Sequence, residues 1–486
     1  MTQATSVKNN NVKDWFCIAV MFLLFFGVPQ LPPFGHVTEF GMKVLGVFLG
    51  LLWGWVFIDL IWPSVLGFFI LSLTGWTTPL GAVMAGFSNV TVSMMIVACA
   101  FAYCLSKVGV SEAIAYWILS KKIFVGKSWL LCAVIIIVAQ LVGMAGGSFA
   151  GIFLMWSIIK AIADINNVPK GSMVTSFLYT ATLISGMNGS VMVPFMPTIF
   201  MYSGFLENVV GTVPLGIQFM VVGELQVLLA GLALLAVAKW IFKMDTTGFL
   251  LTEELRAEYA AKKITRIQKI GLVATLVFFL ALMLPTALKG DFWSVIGGWG
   301  IVGWSILYIV LFNILKDDEG KPACTVMDCF SNGITWGPVL LFMVTIPLAA
   351  AMESEQVGIL ATVNTWCMSL FGDMSLFALY VVIAVVIGLL TQVLHNVIVG
   401  AIFIPVLAPI VVSLGGDPLT FFLIIYATLQ NSYATPAASM QASLIFGKED
   451  VPRKHSYAFG IAYFLVGTLV TIMLIPVCDI LFAGLM

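Results

Sequence analysis

The sequence predicts an all-α polytopic membrane protein. It reads as two inverted-topology repeats, each with a re-entrant helical hairpin and a broken helix, and about 11 transmembrane helices. Three observations carry that prediction. Of 486 residues, 61% are hydrophobic and only 9% charged, with a mean hydropathy of +1.09. Soluble domains carry about 25% charged residues, because water-facing surface needs them. The apolar stretches are continuous rather than alternating in short segments, which argues against a transmembrane β-barrel. Finally, the second half of the chain repeats the order of features in the first.

Composition excludes several classes. A net charge of −1 offers no basic patch for nucleic acid. Cys17, Cys99, Cys104, Cys132 and Cys367 fall in apolar runs and read as small hydrophobes. Cys324 and Cys329 lie near a loop, but no second pair or His completes a zinc set in the sequence. No HExxH, GxSxG or Walker loop is present, so the chain reads as no enzyme, with no cofactor.

The first 13 residues are polar and include Lys8 and Lys13; an apolar run, Trp15 to Val28, follows. Pro29, Pro32 and Pro33 come next, where a signal peptide would have a small-residue cleavage site. The expectation is a first membrane helix with a cytoplasmic N-terminus. Further spans are expected at 42–57, 60–75, 90–108, 173–186, 215–240, 268–286, 292–315, 334–352, 419–430 and 457–484. Lys and Arg gather at 121–127, 239–269, 316–321 and 448–454, which the positive-inside bias assigns mostly to the cytoplasm. The simplest home is a bacterial inner membrane, as a multi-pass protein. Residues 244–270 hold Asp245, Glu253, Glu254, Arg256, Glu258, Lys262, Lys263, Arg266 and Lys269, with Leu255, Tyr259, Ile264 and Ile267 at helical spacing. This reads as an amphipathic interfacial link between the halves.

An offset of 249 residues places Gly109 on Gly358, Trp117 on Trp366, Ser120 on Ser369, Leu141 on Leu390, Gly151 on Gly400 and Pro169 on Pro418. With a slightly smaller offset, Tyr179 and Ala181-Thr182-Leu183 meet Tyr426 and Ala427-Thr428-Leu429. The organisation expected is 1–75 as N-terminal helix and first scaffold helices, 76–243 as repeat 1 with hairpin 129–163, 244–270 as link, 271–325 as second scaffold helices, and 326–486 as repeat 2 with hairpin 376–414. Internal repeats of this kind characterise secondary transporters, whose substrate site forms at the repeat interface.

Each half has two irregular places. In the first hairpin, Gly143-Met-Ala-Gly146-Gly147-Ser148 interrupts the apolar run; in the second, Thr391-Gln392-Val-Leu-His395-Asn396 does. A helix starting at such a break points its positive end at it and suits an anion, while unwound carbonyls and side-chain oxygens suit Na⁺. The second pair of places is Ser185-Gly186-Met187-Asn188-Gly189-Ser190, followed by Pro194 and Pro197, and Gln430-Asn431-Ser432-Tyr433-Ala434-Thr435-Pro436. Both are read as broken helices closing the site. The candidate substrate-binding residues are Gly147, Ser148, Asn188, Ser190, His395, Asn396, Thr435 and Pro436. The candidate Na⁺ ligands are Ser148, Asn188, Thr391 and Asn396. Asp59, Glu224 and Asp479 lie in or near apolar stretches, but none lies in a hairpin break. His395 has two readings, a neutral residue shaping the tip or a titrating one that binds anion or couples a proton.

Residues Thr391 to Pro405 resemble the second Ser-Asn-Thr hairpin motif of divalent anion:sodium symporters. Ala434-Thr435-Pro436 is similar to that family's Ala-Thr-Pro-Pro-Asn break, and Ile445-Phe446-Gly447 to its Val-Phe-Gly follow-up. Gly146-Gly147-Ser148 sits where the first Ser-Asn-Thr would be. Only Asn396 matches the second motif; His395 and Val397 stand where it has Ser and Thr. The resemblance spans roughly residues 40–486. It implies Na⁺-coupled symport of a small, dicarboxylate-like organic anion by alternating access. The hairpin domain would move against a scaffold built from 42–75 and 268–315, in a homodimer. Proton-coupled symport, exchange and a different anion stay open. A channel would be expected to show a uniform pore lining rather than two hairpins. The partners expected are a small anion and membrane lipid, with no nucleic acid.

Overall fold

In the computed structural model the apolar runs become helices, and their ends fall where the chain offers caps. The structure describes residues 11–482 apart from 147–148, 212, 214, 289, 335, 360, 363–364, 367–368, 370–373 and 437. The described helices are α1 Asn11–Gly27, α2 Glu39–Phe57, α3 Trp62–Leu73, α4 Pro79–Phe87, α5 Val90–Val108, α6 Val110–Leu119, α7 Ser128–Gly146, α8 Phe149–Ile165, α9 Met173–Val191, α10 Pro197–Val210 and α11 Ile217–Trp240. They continue as α12 Glu253–Ala261, α13 Arg266–Ala287, α14 Asp291–Gly298, α15 Gly300–Ile314, α16 Val326–Asn332, α17 Trp336–Glu353, α18 Leu376–Leu390, α19 Asn396–Ser413, α20 Pro418–Gln430, α21 Met440–Phe446 and α22 Arg453–Phe482. Side chains of Thr38, Ser172, Thr252, Thr265, Ser375, Asp417 and Ser439 accept first-turn N–H groups and set the starts of α2, α9, α12, α13, α18, α20 and α21. Among the described residues, β-type pairing is confined to two isolated bridges, Val125 with Leu251 and Lys316 with Pro322.

Seven described helices are long and apolar enough to cross a bilayer, or up to nine if each bent pair is one span. Shorter apolar helices such as α3, α18 and α20 accompany them, so about 11 spans accord with the fold. Lipid exposure is written along α22. Tyr457, Ile461, Leu465, Leu469 and Met473, four residues apart, are exposed, while Phe459, Tyr463 and Val470 on the other face are buried. Such an apolar outer stripe is stable against hydrocarbon and not against water.

The span expected at 292–315 is two helices, α14 and α15, bent by 70° at Trp299. The helices α4, α6 and α10 lie outside the spans read from the sequence. The stretch 244–270 carries a shorter helix than expected, α12, whose Leu255 and Tyr259 are buried. Tyr259 stacks on Tyr116, and the Arg256 guanidinium donates to the Ser120 carbonyl at 3.1 Å.

The chain groups into two compact units. One comprises residues 1–92 and 336–373, the other 93–335 and 374–486. In the first, Gly46, Gly50 and Gly54 form a flat stripe on α2. A Cβ at Gly50 would stand 2.3 Å from the Phe25 ring, and one at Gly46 would stand 3.1 Å from the Leu24 carbonyl of α1. Close helix approach over small residues is the usual device where lipid leaves little hydrophobic drive between helices. Residues 42–75 belong to this unit. Residues 268–315 group with both hairpins in the other.

In the second unit the charged clusters share one end. Gly126 N–H donates to Leu251, Asn166 donates to the Leu250 carbonyl, and the Lys448 ammonium sits over the rings of Trp156 and Tyr179 at 4.7 and 4.3 Å. The cluster at 121–127 therefore lies on the same rim as 239–269 and 448–454.

The 249-residue offset survives in the helices. It carries α8 onto α19 to within two residues at both ends, and the start of α7 to within one residue of the start of α18, whereas α18 ends five residues sooner, where the second tip unwinds. Gly109 and Gly358, matched by the same offset, both adopt left-handed backbone, at φ 75° and 71°.

Candidate functional site

The second hairpin is α18, a turn at 391–395, and α19. Leu390 accepts from the Leu394 N–H, and His395 then caps α19 through Nδ1, which accepts from the Val397 N–H at 3.3 Å. Asn396 Oδ1 accepts the same N–H at 2.9 Å. The Asn396 N–H donates to the Ala438 carbonyl, and the Ile398 and Val399 N–H groups reach the His395 carbonyl. The sequence suggested free N–H groups here. The structure instead has the first turn of α19 satisfied by its own chain, so an anion would compete with the His395 ring and the Ala438 carbonyl.

Gln392 is the hub between this tip and the break after α20. Its Nε2 donates to Gly388 and Asn431 carbonyls at 2.9 and 3.1 Å, its Oε1 accepts the Ala434 N–H at 2.9 Å, and its own carbonyl accepts from Thr435 Oγ1. Ser439 holds the far side of the break by donating to Ser432 at 2.8 Å while capping α21. Two glycines of α22 let the break lie flat. A Cβ at Gly460 would stand 2.2 Å from the Tyr433 carbonyl, and one at Gly467 would stand 2.8 Å from Asn431 Oδ1.

The first half enters through α9. Asn188 is 1% exposed, and both ends of its amide are used. Nδ2 donates to Tyr463 Oη at 2.7 Å, and Oδ1 accepts from Tyr433 Oη at 2.9 Å. Tyr426 donates to the Val191 carbonyl at 2.7 Å. The end of α9 is thus tied to the second half by three tyrosines, Tyr426 of α20, Tyr433 of the break and Tyr463 of α22.

The stretch 184–190 is not a break. The helix α9 runs unbroken to Val191, and the chain turns only at 192–196 around Pro194. The glycines that suggested a break serve packing. A Cβ on Gly143 of α7 would stand 1.9 Å from the Gly186 carbonyl oxygen, and one on Gly189 would stand 2.9 Å from the Gln140 carbonyl oxygen. Gln140 in turn donates to the backbone and carboxylate of Glu224 on α11, at 2.9 and 2.7 Å.

A set of buried neutral oxygens surrounds the second tip. Thr391 Oγ1, Thr428 Oγ1, Thr468 Oγ1 and both ends of the Asn431 amide have no partner among the described residues. Gly388 brings three of the elements together, since a Cβ there would meet Thr428 and Thr468 within 3.5 Å. Unpaired buried oxygens cost free energy unless something polar completes them. Neutral hydroxyl and amide oxygens fit a hard monovalent cation and offer nothing to a soft one.

The candidate residues fall out as follows. Gly147 and Ser148 lie outside the described residues. Thr391 and Asn396 sit at the second tip, both buried; His395 is half-buried beside them; Thr435 and Pro436 line the facing break, with Pro436 exposed. Ser190 is buried on α9, and Asn188 is engaged by tyrosines rather than open. Asp59 and Asp479 are exposed near helix ends, whereas Glu224 meets the first hairpin's arm. Gln392, Asn431 and Tyr433 were visible only as members of polar runs. Their roles depend on partners 30 or more residues away, which spacing does not reveal.

No family model matches the chain. It is 26% identical over 133 residues to a protein named "Uncharacterized transporter sll0640" from Synechocystis sp.. That match takes in 26% of this chain and 21% of the relative, so the chain spans about a fifth of the relative's length. Among solved structures, the YdaH transporter of Alcanivorax borkumensis, described as having an unusual topology, superposes with a TM-score of 0.54 at 13% identity. The superposition covers 82% of this chain and 87% of that one. The chain therefore has the fold of a multi-pass membrane transporter. The reading of the chain as no enzyme agrees with both relatives.

Proposed function

We propose that this protein is a secondary active transporter that moves a small organic anion across the membrane in symport with Na⁺. The observation that carries the reading is the joint at the second tip. There a helix N-terminus, a broken helix and a set of buried neutral oxygens meet in one place. The N-terminal end of α19 supplies the positive dipole an anion needs. Thr391, Thr428, Asn431 and Thr468 supply neutral side-chain oxygens, hard donors of the kind that suit Na⁺. No acid stands in the tip to repel the anion. The resemblance of Thr391–Pro405 and Ala434–Pro436 to divalent anion:sodium symporters favours a carboxylate as the anion.

Purified protein in liposomes, offered labelled mono- and dicarboxylates under separately imposed Na⁺ and pH gradients, tests this. Uptake of a carboxylate driven by an inward Na⁺ gradient is expected. Failure to take up any anion under either gradient would overturn transport as the function.

One observation favours a second reading, coupling to protons. Glu224 is a carboxyl within a membrane helix, and its described partner is the Gln140 amide on the arm of the first hairpin. Acids so placed serve proton relays in many transporters. Glu224→Gln keeps an acceptor for Gln140 and removes the proton site. If protons are the coupling ion, this variant loses pH-driven uptake while still exchanging substrate across the membrane. If Na⁺ is the coupling ion, its Na⁺-driven uptake stays within about twofold of wild type, a change worth under ~0.5 kcal/mol.

A further inference from the structure

Three cysteines that the sequence scatters over 225 positions meet in the second unit. Their sulfurs, on Cys104, Cys324 and Cys329, lie within 4.8 Å of one another, and all three residues are buried. Cys104 comes from the last turns of α5. Cys324 and Cys329 flank the start of α16, where Thr325 caps the helix. The backbone is shaped to bring the two segments together. A Cβ at Gly333 would stand 3.1 Å from the Cys99 carbonyl and 2.9 Å from Tyr103 Cβ, both on α5. The Cys324 N–H is anchored to the Phe312 carbonyl of α15.

From this cluster we infer a metal site: Cys104, Cys324 and Cys329 form a three-thiolate centre for a thiophilic d¹⁰ cation, Zn²⁺ or Cu⁺. Three sulfurs bound to one such ion at about 2.3 Å stand just under 4 Å apart. Cys324 and Cys329 are 3.3 Å apart, far beyond the ~2.05 Å of a disulfide. With all three sulfurs already within 4.8 Å of one another, reaching the coordinating spacing takes shifts of about 1 Å or less. Soft thiolate sets select these ions over hard ones such as Na⁺, so the centre is chemically separate from the oxygen-lined tip. The site also sits where thiols stay reduced. Lys269 and Leu311 line one groove, which puts the end of α15, and so the 316–321 cluster before Cys324, near the basic rim. The positive-inside bias assigns that rim to the cytoplasm. Cysteine clusters in that compartment are metal sites more often than disulfides. Binding releases the thiol protons and clips the 316–332 segment to α5. Lys107, one turn beyond Cys104, offsets the net negative charge of three thiolates.

The full-length protein in detergent, purified under reductant, loaded separately with Zn²⁺ and Cu⁺ and passed over a weak chelator, tests this. Retention of an equimolar amount of one of the two ions is expected. Cys104→Ser is expected to weaken retention about tenfold or more, and Cys132→Ser, a buried cysteine elsewhere, to leave it unchanged. Wild-type protein titrated with Co²⁺ should also give a near-ultraviolet thiolate-to-cobalt band, which needs no substitution. Two results would overturn the site. One is wild-type retention no higher than that of a variant with all three cysteines changed to Ser, together with no thiolate band. The other is a Cys324–Cys329 disulfide in protein isolated from reduced cells.

Discussion

Gln392→Leu is expected to lower stability and abolish transport together. The substitution keeps the side chain's bulk but leaves the Ala434 N–H without its acceptor at a buried place. It also takes the donor from the Gly388 and Asn431 carbonyls. The Asn431 carbonyl keeps the Tyr433 N–H, so its loss is partial. The Ala434 N–H has no other described partner. An orphaned buried donor costs about 1–3 kcal/mol, and the whole change about 2–4 kcal/mol. Thermal unfolding in detergent should show a drop of several degrees. Gln392→Glu separates the two halves of the effect. A carboxylate can still accept from Ala434 but cannot donate to the two carbonyls, so it restores the Ala434 bond and not those to Gly388 and Asn431. If Gln392→Leu unfolds and transports as wild type does, the tip and the break are not held as one piece.

The contrast between Gln392 and its neighbours shows what the sequence makes legible. The hairpin arms follow from apolar length, and their duplication follows from the 249-residue offset, because both are local properties repeated along the chain. The polar run from Thr391 to Asn396 marks the second tip for the same reason: apolar helices rarely place Thr, Gln, His and Asn together at membrane depth. Which member of the run does the work is not local. Gln392 acts through Asn431 and Ala434, and Asn188 through Tyr433 and Tyr463, partners fixed only by the tertiary fold. The glycines mislead in an instructive way. Ser185-Gly186-Met187-Asn188-Gly189 has the composition of a broken helix, yet α9 continues through it. Within a membrane a glycine serves equally to break a helix or to let another backbone lie against it, and composition does not separate the two uses. The cysteines mislead in the opposite direction. Cys104 reads as an apolar filler until α16 brings Cys324 and Cys329 to it.

The distinction between breaking and packing glycines has a sharp consequence at the first hairpin, where alanine substitutions should rank in a set order. Gly143→Ala is expected to be the most damaging. Its Cβ would stand 1.9 Å from the Gly186 carbonyl oxygen and 2.7 Å from the carbonyl carbon, with backbone on both sides and no side chain able to swing away. Only separation of α7 from α9 relieves that overlap, and the two helices share much of the unit's core, including Ile135, Ile136, Ala139, Leu183 and Ile184. Forced overpacking of a close-packed interior costs about 1–3 kcal/mol and more where backbone must move. Gly189→Ala should be intermediate. Its Cβ would meet Gln140 Cγ at 2.8 Å but also the Gln140 carbonyl oxygen at 2.9 Å, so moving the side chain relieves only part of the clash and disturbs the bond to Glu224. Gly186→Ala should be the mildest, with its nearest atoms at 3.1 and 3.4 Å. There the gain in helix propensity, up to about 1 kcal/mol, offsets part of the crowding. If the glycines instead hinged a broken helix, the order would differ. Gly186→Ala and Gly189→Ala would then stiffen α9 and impair uptake without lowering the unfolding temperature. Unfolding temperature and uptake measured on the three variants together decide between packing and hinge. Equal, mild effects at all three positions would mean that α7 and α9 do not touch backbone to backbone.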